Sequence, residues 1–167
     1  MAFDANQQAA IKADILANPD LNAFPNTLDG AFGIRDMYQI AASPDKWVWK
    51  TSLHEHEITG EQSPDATAWD WSAYIGRSVG ERDGWARMFN TSLTINPSLI
   101  NVRQGIGDIF SGGTGAGQRA HLLAMARRLA NRLEALLAAG EGTTLSPATM
   151  TFEGAASYQD IHAARNS

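Results

Sequence analysis

Most apolar positions in this chain recur at steps of three and four residues, the spacing that gathers side chains on one face of a helix. Asp4 precedes a first such segment, over about residues 5–18, with Ala9, Ile11, Ile15 and Leu16 on a narrow apolar face and Pro19 where the helix should stop. A second helix is predicted from Asp29 to Ala42, carrying Ile34, Met37, Tyr38 and Ile40 and ended by Ser43-Pro44. The pattern then changes. KWVWKTSLHEHEITGEQSPDA alternates, is rich in Trp, Thr and Ile, and closes on Gly, Ser and Pro, so a short strand or extended loop is expected. Ser63-Pro64-Asp65 reads as the start of another helix, with Trp69, Trp71, Tyr74 and Ile75, and Ser78 starts one carrying Trp85, Met88 and Phe89.

After Asn96-Pro97, the run PSLINVRQGIGDIF places Leu99, Val102, Ile106, Ile109 and Phe110 on one face. The strongest helix prediction follows, over 118–139, where Leu122, Ala126, Leu129, Leu133 and Leu136 step by four and three and Gly140 stops the helix. Beyond Gly140 the chain turns rich in Gly, Ser, Thr and Ala, with one alternating run from Thr149 to Glu153 and a possible helical turn after Ser157. It reads as an extended arm. The expected architecture is mainly α: a bundle of about five to six helices over residues 1–139 with a short extended or β segment, and an extended C-terminal arm over 140–167.

Between the last two helices lies FSGGTGAGQR, residues 110–119. A phosphate-binding Walker loop needs a preceding strand and Lys-Ser/Thr after the last glycine; here the preceding segment has helical period and Gln118-Arg119 follows. The dinucleotide fingerprint fails on the same context. Gly112, Gly113, Gly115 and Gly117 are therefore expected to form a hinge between two antiparallel helices, letting Ile106, Ile109 and Phe110 face Leu122, Met125 and Leu129.

Composition changes this picture mainly by exclusion. With 167 residues the chain suits one domain, and with no cysteine there is no disulfide framework, thiolate chemistry or cysteine zinc site. The N-terminus lacks the basic start and greasy centre of a signal peptide, and no run of apolar residues is long enough to span a membrane, so a soluble intracellular product is expected. The net charge of −5 argues against nonspecific coating of DNA. The bases are unevenly placed, with Arg103, Arg119, Arg127, Arg128 and Arg132 against Asp108 alone over 103–132.

No catalytic or cofactor site is expected, because no nucleophile, base and orienting group stand at legible spacing. His54 and His56 would share one side of a strand, but two ligands without a third favour a solvated turn over a metal site. Trp69 and Trp85 are expected in the core. For Trp47 and Trp49, core and subunit interface both fit. Arg127, Arg128 and Arg132 spread around their helix instead of forming a stripe, and acids of a neighbouring helix or subunit are their expected partners.

The blocks KWVWKT (46–51), IGRSVGERDGWARMF (75–89), INPSLINVRQGIGDIFSG (95–112), RRLANRLEALLA (127–138) and SPATMTFEG (146–154) resemble a group of small structural proteins from the virion modules of tailed bacteriophages. The resemblance is to head-tail connector, or adaptor, subunits. It implies a homo-oligomeric ring, commonly a dodecamer, seated under the portal in the virion neck, with a tail or stopper protein below. DNA would pass through without specific binding, and the protein would be made in the bacterial host cytoplasm. The resemblance also implies that the C-terminal arm grips the portal. Its candidate contacts are Met150 and Phe152, alternate residues of ATMTFEG that could add an edge strand to a partner, with Tyr158 and Ile161 further on. A stopper, tail terminator or capsid decoration protein is the alternative within the virion.

Overall fold

The computed structural model describes residues 3–89 and 93–167. It is mainly helical and resolves into two compact units, one formed by residues 1–48 and 129–167, the other by residues 49–128. The second unit is thus inserted into the first, and the expected division at residue 140 is replaced by crossings near 48 and 129.

Unit 1 opens with α1 (Ala5–Ala17). Asp4 accepts from the Gln7 amide at 2.9 Å while the Gln7 side chain accepts from the Asp4 amide at 3.1 Å, a reciprocal cap that satisfies two otherwise orphaned donors. Asn18 caps the short α2 (Pro19–Asn22), and Thr27 caps α3 (Leu28–Gln39). The chain returns to this unit through α9 (Arg132–Leu137) and ends in α10 (Tyr158–Arg165), capped by Ser157. Ile11, Ile15, Leu21, Ile34, Tyr38, Leu133 and Ile161 form its core, with Phe3 tilted against Phe152. Leu16, by contrast, is exposed.

Unit 2 contains α4 (Glu55–Gly60), α5 (Trp71–Ile75), α6 (Val79–Met88), α7 (Ile100–Ile109) and α8 (Gly112–Met125). Its core joins Leu53, Ile58, Trp85, Ile106, Phe110 and Leu122, and Trp69 sits among the Trp71, Tyr74, Trp85 and Phe110 rings. Both tryptophans expected in the core are there. The antiparallel pair β2 (Leu53–His54) and β3 (Thr94–Ile95) sets Leu53 opposite Ile95. β1 (Trp47–Trp49) and β4 (Arg127–Leu129), the two segments where the chain crosses between units, pair with each other.

Several boundaries differ from the sequence expectation, each for a physical reason. The helix expected over 118–139 is interrupted at 126–131, because that backbone pairs with the β1 segment: Lys50 N donates to Ala126 O at 2.8 Å and Ala130 N to Lys46 O at 2.9 Å. Strand pairing here overrides local helix preference. Helix formation resumes at Asn131, which forms a capping box with Glu134. EHEITG, expected as extended, is α4. The helix expected from Ser63 begins only at Trp71, capped by Asp70, because Ser63 to Thr67 closes into a turn through the Thr67 N to Ser63 Oγ bond at 3.1 Å.

The C-terminal segment is not an arm. Thr149 exchanges two backbone hydrogen bonds with Ala139, at 2.8 and 2.9 Å, and Ala148 N donates to Trp47 O at 2.8 Å. Ala148, Met150, Phe152, Ile161 and Ala164 are buried in unit 1. No helix among the described residues is long and apolar enough to cross a membrane.

Candidate functional site

The glycine segment forms the corner between α7 and α8, as the helical period on either side requires. The turn itself is shorter than expected. It falls at Phe110 and Ser111 and ends at Gly112, whose φ of +74° suits a residue without a Cβ. Gly113, Gly115 and Gly117 are not hinge residues but lie in the first turns of α8. Gly115 is required by contact instead: a Cβ there would stand 2.3 Å from the Phe110 carbonyl oxygen. Ile106, Ile109, Phe110, Leu122 and Met125 share one core as expected, whereas Leu129 lies on β4 outside that core, 42% exposed.

Two arginines close this corner. Arg77 donates to Ser111 O at 3.0 Å and to Thr114 Oγ1 at 2.5 Å, and Arg119 donates to Phe110 O at 2.7 Å. The carbonyls left free where α7 ends are thereby met by guanidinium donors, which also suit the negative end of the helix dipole. Arg77 was legible only as part of a resembling block; no local motif marks it as a clamp.

The remaining bases of the 103–132 stretch are likewise used inside the chain. Arg127, expected at a subunit interface, is buried, and its Nη2 donates to both carboxylate oxygens of Asp65, at 2.7 and 2.5 Å. Arg103 donates to Pro97 O and Ser98 O and lies over the Trp49 ring, 4.6 Å from its centroid. Trp49 packs at the edge of the unit 2 core, and the Trp47 amide donates to Gly142 O at 2.7 Å, with both indoles half-buried. Arg128 is half-buried on β4.

Arg132, also expected at an interface, belongs to a cluster in unit 1. It donates to Asp14 Oδ2 at 3.2 Å, the Tyr38 hydroxyl donates to the same oxygen at 2.9 Å, and the guanidinium lies over the Tyr38 ring. Burial, and then the neighbouring Asp14 charge, push the Tyr38 hydroxyl far above its usual range. The cluster edges a cleft of about 530 Å³ that also exposes Asp45 and Glu141. Beside it Lys46 Nζ donates to the Ala135 and Ala138 carbonyls, at 2.9 and 3.1 Å, capping the end of α9. The pairing of Asp14 and Tyr38 with Arg132 gave no signal in the sequence, because Arg132 lies more than ninety positions away along the chain.

The histidines divide. His121 is fully buried, with Nε2 donating to Ile58 O at 2.8 Å and Nδ1 3.1 Å from the Thr67 hydroxyl, so it fastens α8 to α4 and to the 63–67 turn. His54 and His56 lie side by side on the surface, their rings tilted by 41° with centroids 5.2 Å apart. The first ends β2 and the second lies in α4, so they do not share a strand face. Among the described residues no group of three or more His, Cys, Asp or Glu is arranged to hold a metal.

The portal-contact candidates are mostly interior. Met150, Phe152 and Ile161 are buried, and Tyr158 stacks on Phe32 at 3.9 Å between centroids. Buried Glu134, which the sequence did not single out, secures this segment by accepting from Gly154 N at 2.9 Å. The most exposed large apolar side chain of the C-terminal stretch is Leu145, almost wholly exposed in the 141–146 loop.

No family model, no curated protein and no solved structure matches this chain.

Proposed function

We propose that the protein is a structural virion component, a head-tail connector subunit that assembles as a ring beneath the phage portal around the DNA exit channel. The observation that carries the reading is the ordered series of blocks resembling such subunits, which extends through both units from KWVWKT to SPATMTFEG. The site geometry is compatible with it. Many of the ion pairs and hydrogen bonds named above cap helices and fasten loops, while large apolar side chains stand on the surface, a number of them in unit 2. A chain whose polar groups serve its own fold and whose apolar groups face outward suits assembly.

In this reading the portal contact is not made by Met150, Phe152 and Ile161, which would have to leave the core. The exposed 141–146 loop with Leu145 takes that place. The net charge of −5 would let DNA slide past without phosphate contact. The deciding experiment is the native mass of the purified protein with the portal of the same genome. A complex of fixed stoichiometry, weakened by Leu145→Glu, is expected. Binding to capsid or tail-tube protein in place of the portal would move the assignment to another virion part.

A further inference from the structure

The net charge of this protein is carried entirely by unit 1. Residues 1–48 and 129–167 hold ten acids and five bases, whereas residues 49–128 hold eight of each. Two copies meeting through unit 1 surfaces bring like charge together; two meeting through unit 2 do not.

Unit 2 also carries two groups of exposed large apolar residues. Trp71 (56% exposed), Ile75 (64%) and Val79 (75%) line α5 and the start of α6. Leu93, Leu99 and Ile100, between 49% and 67% exposed, lie between α6 and α7 and at the start of α7. These groups sit at opposite ends of one helix pair. Gly84 of α6 faces the Ile109 side chain and Gly105 of α7 faces the Met88 side chain, so α6 and α7 run antiparallel. Arg77, just before α6, reaches the Ser111 carbonyl just after α7. The Trp71 group therefore stands at one end and the Leu99 group about 15 Å away at the other, the length of a ten-residue helix.

Building on the connector reading, we infer that a second copy of this chain is what covers both faces. The Trp71, Ile75 and Val79 face of one copy docks on the Leu93, Leu99 and Ile100 face of the next. Two different faces at opposite ends make the contact head to tail, and such contacts propagate until a ring closes, whereas a single self-complementary patch stops at a dimer. The neutral charge of unit 2 lets the faces approach, while the acidic unit 1 disfavours pairing of unit 1 with unit 1.

The test uses the full chain and two double variants. Trp71→Asp with Val79→Asp removes the first face. Leu99→Asp with Ile100→Asp removes the second. All but Leu99 are first-turn positions, and Leu99 is a cap position, so the new carboxylates suit the helices and folding is preserved, as circular dichroism would verify. Analytical ultracentrifugation from about 1 to 100 µM is expected to show the unaltered chain as a multiple of 18.0 kDa and each variant alone as a monomer. An equimolar mixture of the variants should give a 1:1 dimer and nothing larger, because only one intact pair of faces remains. A mixture that stays monomeric, or one variant that associates as well as the unaltered chain, overturns the inference. An unaltered chain that is monomeric alone yet adds to the portal overturns it and leaves the connector reading standing. Oligomers without portal affinity do the reverse.

Discussion

Tyr38 shows how much of this protein's chemistry is decided by a few atoms. Its hydroxyl is buried, donates to Asp14 and lies under Arg132, so ionising it would place a second negative charge beside a carboxylate. The folded state holds that proton to higher pH than the unfolded chain does. The contribution to stability is complete below the usual tyrosine value of about 10 and is lost as pH rises beyond it. Of the three tyrosines, Tyr38 is expected to stay protonated in an ultraviolet titration until the protein unfolds at alkaline pH, and Tyr38→Phe should remove that late step. On the acid side the sign reverses. Burial would raise Glu57, but its bond and charge contact with Lys50 hold it low; hydroxyl bonds from Ser72 and Ser78 hold Asp70 and Glu81 low. Unit 2 should keep these contributions above the carboxylate range and lose them as pH falls through it, which denaturant midpoints from about pH 3 to 7 would register.

At the scale of elements, the α7–α8 corner separates what glycine is needed for from where it merely occurs. Gly115→Ala drives a methyl into the Phe110 carbonyl, and a loss of about 2 kcal/mol is expected from such overpacking. Gly113→Ala and Gly117→Ala meet open space within a helix, and each should gain about 0.5 to 1 kcal/mol. Urea unfolding of the three variants checks the opposite signs. A flexible hinge would instead be stiffened in the same sense by all three. The interrupted helix at 126–131 carries the complementary lesson. Leu122, Leu129, Leu133 and Leu136 fit a continuous helical stripe, yet the structure breaks it and starts a new helix at the capping box of Asn131 and Glu134.

At the scale of the whole molecule, the C-terminal stretch belongs to the fold and not to an appendage. Removing residues after Gly140 deletes α10, Phe152 and the Thr149 ladder, and so strips α1 and α3 of much of their shared core. The truncated chain is expected to lose cooperative unfolding of unit 1, seen as loss of the corresponding slow amide exchange, where an arm would leave it unchanged.

The sequence by itself determined the features that neighbouring residues decide. The capped starts of α1 and α6, the stripe of α7 from Val102 to Phe110 but not its expected start at exposed Leu99, and the placing of Trp69 and Trp85 in the core all rest on spacings of a few residues. Tertiary structure alone decided that a helix-forming run becomes β4, that an apparent arm becomes core, and that Arg127 and Arg132 find Asp65 and Asp14 within the chain. Each of these depends on a partner about sixty to more than one hundred positions away, or on a strand whose pairing outweighs local propensity, and no local pattern encodes such a meeting.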